Sequence, residues 1–592
     1  MSLTPATTPV GQKPYARRWL YESIDATVAA ALAHEAGLPL LVAELLVARG
    51  VVTSEAIHAY LSPSLDDLLD PYSMLGMAPA VARIEQAINE KQTILLYGDY
   101  DVDGTTAVVL LKTALERLGG EVRYHVPHRL REGYGMQSSI LAEAAQSGVQ
   151  LVISVDTGIR AFAEAKVAAE LGLDLIVTDH HLPEDGTAIP EALAVLNPNQ
   201  PGCPYANKAL CGAGVAFKLA QALLEKQDRE TARQRILPSF LKLLAIATIA
   251  DSVPLTGENR AIVALGLAGL RHPVNPGLRA LLATAKLDPQ QKPISAMDVG
   301  FRLAPRINAA GRMDIAGEVV EMFTTRDSAR AEALAQKLDA LNQERRDTEA
   351  AILTAIETQI EAPEFADSLC LVVDGEGWHR GVVGILASRI LERTGKPTLI
   401  VTHDEGQAHG SGRSIDGYHL LEALETCPEL FTRFGGHAHA VGFSMPSERV
   451  AALRSHLASH AAEHISLENL GSPLTYHAEL PLEEVTPALY SWLRRLEPYG
   501  MSNEEPLFVA RRVMVAEPVR VLKERHVKLQ LTQGTRGLRI SALGWHWAER
   551  VAAFGITRGT MLDIVYRLRE NDHPSYGGLE IEIVDLKPVR ED

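Results

Sequence analysis

Short apolar runs alternate with segments of helical periodicity between residues 90 and 200. The apolar runs predict strands, and in chain order they read TILLYGD, EVRYHVP, VQLVISVDTG, LDLIVTDHH and ALAVLNPN. Between them, residues 105–118 and 159–171 have the apolar spacing of helices. Continuous apolar strands that alternate with helices are typical of a parallel sheet covered on both faces. This region therefore predicts an α/β fold with a doubly wound parallel sheet.

The periodicity changes again in the rest of the chain. Helical spacing continues at 213–226, 238–250 and 259–271, and residues 326–361 predict one long amphipathic helix. A second α/β unit is predicted over 366–465 from the apolar strands LCLVVDG and PTLIVTH. After GSPLTY, segments such as HVKLQLTQ and LEIEIVDL alternate apolar and polar residues. This alternation predicts a small all-β barrel or sandwich at the end of the chain.

Length and composition limit the class of protein. At 592 residues the chain is too long for one hydrophobic core, and we expect three or more domains. The net charge of −17 argues only weakly against nucleic-acid binding, because a local basic groove is enough to bind phosphates. The sequence predicts no signal peptide and no membrane span, and its four cysteines lack the spacing of zinc ligands. We therefore expect a cytoplasmic protein with reduced cysteines and no membrane partner.

Three aspartates alternate in the sequence GDYDVDG, directly after the first strand of the predicted parallel sheet. Burying Asp99, Asp101 and Asp103 together is costly unless a cation offsets their repulsion. Their spacing matches the first half of an EF-hand calcium loop. However, the twelfth position is Leu110, where that loop needs a glutamate, and a strand precedes the segment instead of a helix. A structural calcium loop is therefore not favoured.

Further candidate ligands lie at the ends of later apolar runs. Asp156 follows one strand, Asp179, His180 and His181 end the next, and Asp251 ends the run LLAIATIAD. Each has a structural explanation when taken alone: a helix cap, a turn residue, or a buried and hydrogen-bonded histidine. The carboxyl ends of parallel strands meet in one crevice, however, so these side chains are expected to converge. Mixed carboxylate and imidazole ligands predict a catalytic site for two divalent ions, Mn²⁺ or Mg²⁺.

Several of these stretches resemble the motifs of a known family. GDYDVDG, SVDTG, TDHH and ATIADSVPL are similar to the four motifs of the DHH phosphoesterase superfamily. RINAAGRM (306–313) and GWHRGVVGI (377–385) are similar to the RecJ family of bacterial single-stranded-DNA exonucleases within it. GSGRS (410–414) and FGGHAHAVGF (434–443) resemble the DHH-associated domain, and the C-terminal β region resembles the OB-type domain of that family. The resemblance extends from about residue 40 to residue 585, with the motifs in the expected order.

The resemblance implies a division of the chain into five parts. These are an N-terminal extension (1–45), a DHH catalytic domain (46–325), a connecting helix (326–361), a DHH-associated domain (362–470) and an OB-type nucleic-acid-binding domain (471–592).

The resemblance also implies two metal ions with a shared ligand. The first ion would be held by the following side chains: Asp103, Asp156, His180 and Asp251. The second would be held by Asp101 and by Asp156 as the bridge. Many relatives have a histidine four residues before the Asp101 position, but that position is Tyr97 here, and Asp99 is expected to replace it. His181 is expected to contact a phosphoryl oxygen. The two ions would activate a water molecule for attack on phosphorus.

Substrate contacts follow from the same resemblance. Arg413 and Ser411 are expected to hold a terminal 5′-phosphate, with His437 as a second phosphate contact. Without the resemblance, these would be loop residues whose neighbouring glycines form turns.

A second group of candidate substrate contacts lies in RINAAGRM. Arg306, Asn308 and Arg312, together with the preceding Arg302, are expected to contact the DNA backbone or its bases, and ion pairs at a helix end are an equally good explanation for the arginines.

Single-strand binding by the C-terminal domain has a weaker signal. Basic residues from Arg511 to Lys528 precede Trp545 and Trp547, which suggests a basic groove with stacking platforms. The alternative is that both tryptophans belong to the barrel core and that the basic residues cover edge strands.

The function implied is a 5′→3′ exonuclease on single-stranded DNA that releases 5′-mononucleotides in DNA repair and recombination. The expected partners are the single-strand-binding protein and a RecQ-type helicase. Two alternatives remain: a DHH phosphoesterase for small substrates, such as an oligoribonuclease or a cyclic-dinucleotide phosphodiesterase, or a non-catalytic DHH scaffold that binds DNA. The extra β domain argues against the first, and the intact ligand residues argue against the second.

Overall fold

The structure is a computed structural model that describes residues 18–128, 132–133, 135–184, 186–312, 315–366, 368–465, 473–534, 537–571 and 577–589. Met313, the last residue of RINAAGRM, lies outside these ranges. No helix within them is both long enough and apolar enough to cross a membrane. The four cysteines are buried and form no disulfide.

The chain begins with a short strand and helices. They are β1 (Trp19–Tyr21), α1 (Ala26–Ala36), α2 (Leu40–Ala48), α3 (Ser54–Leu61) and α4 (Met77–Asn89). The domain boundary predicted at residue 45 falls inside helix α2.

A parallel sheet follows, in the strand order β3-β2-β4-β5-β6. Its elements are β2 (Thr93–Tyr97), α5 (Val102–Arg117), β3 (Glu121–His125), α6 (Ser138–Gln146), β4 (Val149–Val155), α7 (Phe162–Glu170), β5 (Asp174–Thr178) and β6 (Ala194–Leu196). Alternate residues of β2 pack on opposite faces: Ile94 and Leu96 join a core that includes α5, whereas Leu95 and Tyr97 join a core with α6 and α7. The predicted doubly wound parallel sheet is confirmed.

The remainder of the first domain is helical. Its helices are α8 (Gly212–Thr231), α9 (Leu237–Ala250), α10 (Gly257–Gly269), α11 (Pro276–Thr284), α12 (Ala296–Asp298), α13 (Ala304–Arg312) and α14 (Ala316–Thr324). Turns of π-helix join α8 to α9 at Ala232–Ile236 and α12 to α13 at Val299–Leu303.

The predicted long helix is present as α15 (Ser328–Ile360). Its first half packs into the core of the first domain through residues such as Leu334 and Leu338. Its second half packs into a separate core with Leu371 and Val383 of the next domain, to which it contributes Ile356. The helix therefore joins the two α/β domains through one apolar stripe.

The second domain has a mixed sheet in the order β10-β11-β9-β8-β7, in which only β7 and β8 are parallel. Its elements are α16 (Pro363–Ala366), β7 (Leu371–Glu376), α17 (Val383–Thr394), β8 (Thr398–Asp404), β9 (Gln407–Arg413), α18 (Leu420–Glu425), β10 (Arg433–His437), β11 (Ala440–Pro446) and α19 (Val450–His464).

GSGR belongs to strand β9, so its interpretation as a loop is wrong. The glycines of this strand serve close packing, because a Cβ on Gly410 would lie 2.6 Å from Phe443 Cε2 and one on Gly412 would lie 2.7 Å from Leu420 Cδ2.

The C-terminal domain is a barrel in the strand order β13-β14-β18-β19-β17-β16-β15, and an added β14–β16 pairing closes it. Its elements are β12 (Leu474–Tyr476), β13 (Ala478–Glu479), α20 (Pro487–Arg494), β14 (Phe508–Val515), β15 (Arg520–Leu522), β16 (His526–Thr532), β17 (Arg539–Gly544), α21 (Ala548–Ala553), β18 (Met561–Asn571) and β19 (Gly578–Pro588). Of the two forms predicted, the barrel is correct.

The N-terminal helices share the core of this barrel. Leu46 of α2 and Ile57 of α3 pack in one cluster with Phe508 and Leu562, and β1 pairs in parallel with β12. The beginning and the end of the described chain therefore form one packed unit.

Arg260 of α10 fastens that unit to the first domain. Its side chain is 3% exposed and donates hydrogen bonds to the carbonyl oxygens of Tyr60 (3.0 Å), Leu496 (3.0 Å) and Glu497 (2.8 Å). Five residues earlier, the Leu255 amide donates to the Met501 carbonyl at 2.8 Å. The loop that follows Asp251 is thus attached directly to the C-terminal domain.

Candidate active site

A pocket of about 290 Å³ opens at the carboxyl edge of the first sheet. Eight of the predicted site residues line it: Asp99, Asp101, Asp156, His180, His181, Asp251, Asn308 and Arg312. Asp103 is 2% exposed and lies within 3.9 Å of His180, measured from its Oδ2 to the imidazole Nε2. The convergence predicted from the strand ends is therefore present.

Two helix N-termini hold two of the three aspartates of GDYDVDG. Asp101 caps α5, since its Oδ1 accepts hydrogen bonds from the amides of Asp103 (2.9 Å) and Gly104 (3.0 Å). This cap explains why α5 begins before the predicted residue 105. Asp103 in turn accepts from the amides of Gly212 (2.6 Å) and Ala213 (2.9 Å) at the start of α8. Helix N-termini favour negative charge, so these hydrogen bonds hold both carboxylates in place at the pocket.

Asp156 has a backbone conformation that non-glycine residues seldom adopt. Its φ of 60° lies in the left-handed region, and its amide donates to the Thr178 carbonyl of the neighbouring strand at 2.9 Å. Gly212 packs directly against its side chain, because a Cβ there would lie 2.6 Å from Asp156 Cγ. The carboxylate Oδ1 is buried and has no hydrogen-bond partner among the described residues, and His180 Nε2 lies 3.3 Å away.

Asp179, named above as a candidate ligand, instead anchors the two histidines. Its Oδ1 accepts hydrogen bonds from the amides of His180 (2.7 Å) and His181 (3.1 Å) and pairs with His181 Nδ1 at 2.7 Å. Its Oδ2 accepts from the Ile159 amide at 2.9 Å. The pair with Asp179 fixes the orientation of the His181 ring. The aspartate of TDHH was the only sequence signal for this anchor.

The candidate ligands form three overlapping groups, and the ligand atoms of each group lie within 4.8 Å of one another. The groups are Asp103, His180 and Asp251; Asp99, Asp101 and Asp156; and Asp156, His180 and His181. All six predicted metal ligands thus lie in one cluster. Tyr97, four residues before Asp101, is buried with its ring 5.1 Å from that of His125. Asp99, which was expected to replace a histidine ligand at that position, belongs to the second group of ligands.

Burial and mutual repulsion act together on these carboxylates. Burial, reinforced by Asp103 and Asp101, raises the pKa of Asp156 well above its usual value and that of Asp251 to about 8. Burial lowers the pKa of His180, which keeps a ring nitrogen lone pair free. Asp251 Oδ2, like Asp156 Oδ1, is buried with no hydrogen-bond partner in the described ranges. Buried carboxylate oxygens and a neutral imidazole nitrogen are suitable ligands for divalent cations, and such cations would remove the repulsion between the carboxylates.

Helix α13 closes one side of the pocket. Asn308 Oδ1 accepts a hydrogen bond from the Val102 amide at 3.2 Å, and Gly311 packs so closely on Tyr100 that a Cβ would clash with the Tyr100 carbonyl. Arg312 Nη1 donates to the Gly381 carbonyl of the second α/β domain. The pocket therefore lies where the two domains meet.

Arg306 does not line the pocket. Its side chain is 15% exposed and its Nε pairs with Asp339 of α15 at 2.8 Å. This contact matches the ion-pair alternative, and the predicted DNA contact of Arg306 stays a prediction.

Ser411 and Arg413 lie together at the first turn of α17. Arg413 Nη1 donates to Ser411 Oγ at 3.1 Å and to the Gly412 carbonyl at 2.8 Å. A Cβ on Gly384, in the first turn of α17, would lie 3.1 Å from Ser411 Oγ and 3.4 Å from Arg413 Nη2. The exposed His437 is in register with Arg413 across β11, so the two side chains share a face of the sheet about 10 Å apart.

The two C-terminal tryptophans differ. Trp547 is 6% exposed and belongs to the barrel core, so its interpretation as a stacking platform is wrong. Trp545 is 50% exposed, and its ring lies 4.8 Å from that of His526. Of the basic residues, Arg511 forms ion pairs with Glu479 (3.1 Å) and Asp563 (3.3 Å), which reduces the charge available to a ligand.

Three family models match successive parts of the chain. The model described as DHH family, N-terminal domain matches residues 93–248, the DHHA1 domain matches 367–463, and the RecJ OB domain matches 476–585.

Curated relatives and solved structures match over most of the chain. The single-stranded-DNA-specific exonuclease RecJ of Dickeya dadantii is 39% identical over 93% of this chain and 96% of its own. The protein of the same name from Bacillus subtilis is 37% identical over 94% of this chain and 69% of its own. The crystal structure of Thermus thermophilus RecJ in complex with Mn²⁺ superposes with a TM-score of 0.82 at 31% identity, covering 97% of this chain and 80% of that one.

Proposed function

The chain belongs to the RecJ family of single-stranded-DNA-specific exonucleases, and we propose from this premise that it digests single-stranded DNA from the 5′ end with two divalent cations, Mn²⁺ or Mg²⁺, in the acidic pocket. The observation that carries this proposal is the cluster of buried carboxylates and imidazoles, which includes oxygens that accept no hydrogen bond within the described ranges. The relative from Thermus thermophilus was crystallised with Mn²⁺ and with Mg²⁺, which supports the choice of metals.

Two of the three groups of ligands fit the two ions expected. Asp103, His180 and Asp251 would hold one ion, and Asp99 and Asp101 the other, with Asp156 between the two groups. Ions in such sites act as Lewis acids on phosphoryl oxygens and lower the pKa of water. The α8 amides hold the Asp103 carboxylate in place, and His180 offers a neutral ring nitrogen because burial disfavours its protonated form and lowers its pKa.

The phosphate would be oriented by side chains of the pocket that are not among the six predicted metal ligands. His181 would donate from Nε2 to a phosphoryl oxygen, because its ring is held by the 2.7 Å pair between Nδ1 and Asp179. Asn308 and Arg312 would hold the DNA backbone at the opposite wall. Fixed donors around the reacting phosphate stabilise the charge that develops there without reorganising.

The 5′ end would bind between Arg413, Ser411 and the first turn of α17. A guanidinium, a hydroxyl and a helix N-terminus together form a strong site for a terminal phosphate. The hydrogen bond from Arg312 to Gly381 connects this site to the catalytic pocket. A phosphate anchored there would limit how many nucleotides reach the pocket, which would make the enzyme an exonuclease that starts at the 5′ end.

The direction of digestion can be measured with end-labelled oligonucleotides. We expect label at the 5′ end to appear at once as mononucleotide and label at the 3′ end to remain on a ladder of shortening products, with either Mn²⁺ or Mg²⁺. The opposite pattern would contradict the 5′ assignment. Digestion that continues in excess chelator would contradict the metal assignment.

Replacing Arg413 with alanine should weaken binding of 5′-phosphorylated single strands about thirtyfold in KM, because hydrogen bonds to a charged group contribute about 2 kcal/mol. Strands with a 5′-hydroxyl should be affected much less. Arg433→Ala, on the exposed strand β10 of the same sheet, is the matched control and should behave as the unmodified protein. Equal losses on both kinds of end would show that Arg413 does not read the terminal phosphate.

The alternatives from the sequence are less well supported. The curated relatives that match nearly the whole chain are named as exonucleases, and the ligand residues that a silent scaffold would have lost lie together in one pocket. We further propose a role in DNA repair and recombination in the cytoplasm, the single-strand-binding protein and a RecQ-type helicase as partners, and the five-part division of the chain given above.

A further inference from the structure

One helical face leads out of the catalytic pocket. The chain is helical without interruption from Ala296 through the π turn to Arg312. Val299, Leu303, Ile307 and Ala310 point into the core of the first domain, at intervals of four, four and three residues. Such intervals mark one face of a helix, so residues at the same intervals on the opposite side form a second, outward face.

The outward face begins with polar residues and becomes apolar. Arg312 and Asn308 line the pocket, and Pro305, Phe301 and Met297 continue the same face away from it. Phe301 lies seven residues from Asn308, about 10 Å along the helix axis. At about 3.4 Å per stacked nucleotide, this distance corresponds to about three nucleotides.

Phe301 is the most exposed large apolar side chain in the described part of the structure. It is 76% exposed, and Met297 is 56% exposed. The neighbouring Gly300 packs beside α9, where a Cβ would lie 3.8 Å from Cγ2 of Ile249, two residues before Asp251. The backbone beside Phe301 therefore lies next to α9, the helix that ends at Asp251, and it continues along the same helix to Asn308 in the pocket.

The arginines of this helix are already engaged. Arg302 pairs with Asp298 at 3.1 Å and donates to the Ala285 carbonyl at 2.6 Å, and Arg306 pairs with Asp339. Outside the pocket, this face therefore offers an aromatic ring and aliphatic surface to a ligand. Nucleic-acid bases, unlike phosphates, bind such a surface through their faces.

We propose that Phe301 stacks on a base of the single strand that enters the pocket, about three nucleotides from the reacting phosphate, with Met297 and Pro305 as flanking contacts. This inference rests on the proposed function, since it takes the strand in the pocket as given. A base within a duplex is already stacked and paired, so the ring would act only on an unpaired strand. Phe301 would thus be a specificity-determining residue for single-stranded substrate.

The test compares Phe301→Ala, Phe301→Trp and the unmodified protein on 5′-phosphorylated oligonucleotides that carry one abasic site. For the unmodified protein we expect an abasic site near the fourth nucleotide, the third beyond the reacting phosphate, to raise KM about tenfold, and abasic sites far from the 5′ end to have no effect on the first cleavage. Phe301→Ala should show the same tenfold increase on intact DNA and no further loss at the abasic site. Phe301→Trp should restore both properties, and Leu40→Ala, an exposed apolar residue of α2, is the control.

The outcomes separate the two proposals. If the unmodified protein digests single strands from the 5′ end and Phe301→Ala matches it on every oligonucleotide, the stacking proposal is wrong and the proposed function stands. An Ala variant that keeps the full sensitivity to the abasic site would also overturn stacking. If the unmodified protein does not digest single strands from the 5′ end, the proposed function itself fails.

Discussion

Replacing Asp156 with asparagine should lower the rate of single-strand digestion about a thousandfold while the protein stays folded. The substitution keeps the size of the side chain, and asparagine tolerates the left-handed φ of 60° at this position. It removes the charge that lies between the two groups of ligands. Several kcal/mol of metal-dependent stabilisation would be lost, and each 1.4 kcal/mol corresponds to a tenfold change in rate.

Asp228→Asn is the matched control for this charge change. Asp228 is exposed at the opposite end of α8, about 24 Å from Gly212 along the helix axis, and its neutralisation should leave the rate unchanged. A rate for Asp156→Asn within a few fold of the unmodified protein would contradict the role of Asp156 as a shared ligand.

The same variant should change the pH dependence of stability in the absence of metal. Burial and the neighbouring carboxylates raise the pKa of Asp156 in the folded protein, so ionisation of Asp156 opposes folding. The stability that the protonated Asp156 provides is fully present below about pH 4, the ordinary pKa of aspartate. It is lost as the pH rises through the elevated pKa. In chelator, the melting temperature of Asp156→Asn should therefore fall less between pH 5 and pH 9 than that of the unmodified protein.

Replacing Gly212 with alanine should lower the rate about a hundredfold without unfolding the protein. The added Cβ would lie 2.5 Å from Asp156 Cβ and 2.6 Å from Asp156 Cγ, so the carboxylate has to move away from its position between the ligand groups. A displacement of about 1 Å in a catalytic group costs about a hundredfold in rate. Steady-state digestion and Mn²⁺ affinity measure the effect, and both should be impaired.

Gly317→Ala controls for a glycine replaced in a helix. No atom lies within 4 Å of the Cβ that this substitution adds in α14, so the rate should not change and stability should rise slightly. Normal activity and normal Mn²⁺ affinity in Gly212→Ala would show that the position of Asp156 is not important.

The parallel sheet and most of the site could be predicted because both depend on local patterns. Apolar strands such as β4 are continuous in the sequence, and the geometry of a parallel sheet brings the residues after each strand to one edge. Asp156 and His180 therefore meet because each follows a strand of the same parallel sheet, and the order of strands and helices in the sequence is enough to predict this. The end of α9 brings Asp251 to the same place.

Contacts between distant segments could not be predicted in this way. Gly212 supports Asp156 from a helix that begins far along the chain, and no local pattern marks a glycine that serves packing. The burial of Trp547 depends on closure of the barrel, and the pair between Arg306 and Asp339 depends on how α13 packs on α15. The shared core of α2 with the barrel likewise joins opposite ends of the sequence.

Electron paramagnetic resonance of the protein titrated with Mn²⁺ tests the central claim most directly, because two Mn²⁺ ions a few ångströms apart are magnetically coupled. We expect two bound ions per chain with a coupled spectrum in the unmodified protein, and loss of the coupling in Asp156→Asn. A single uncoupled ion in the unmodified protein, or a coupled pair that survives in Asp156→Asn, would contradict a two-ion site bridged by Asp156.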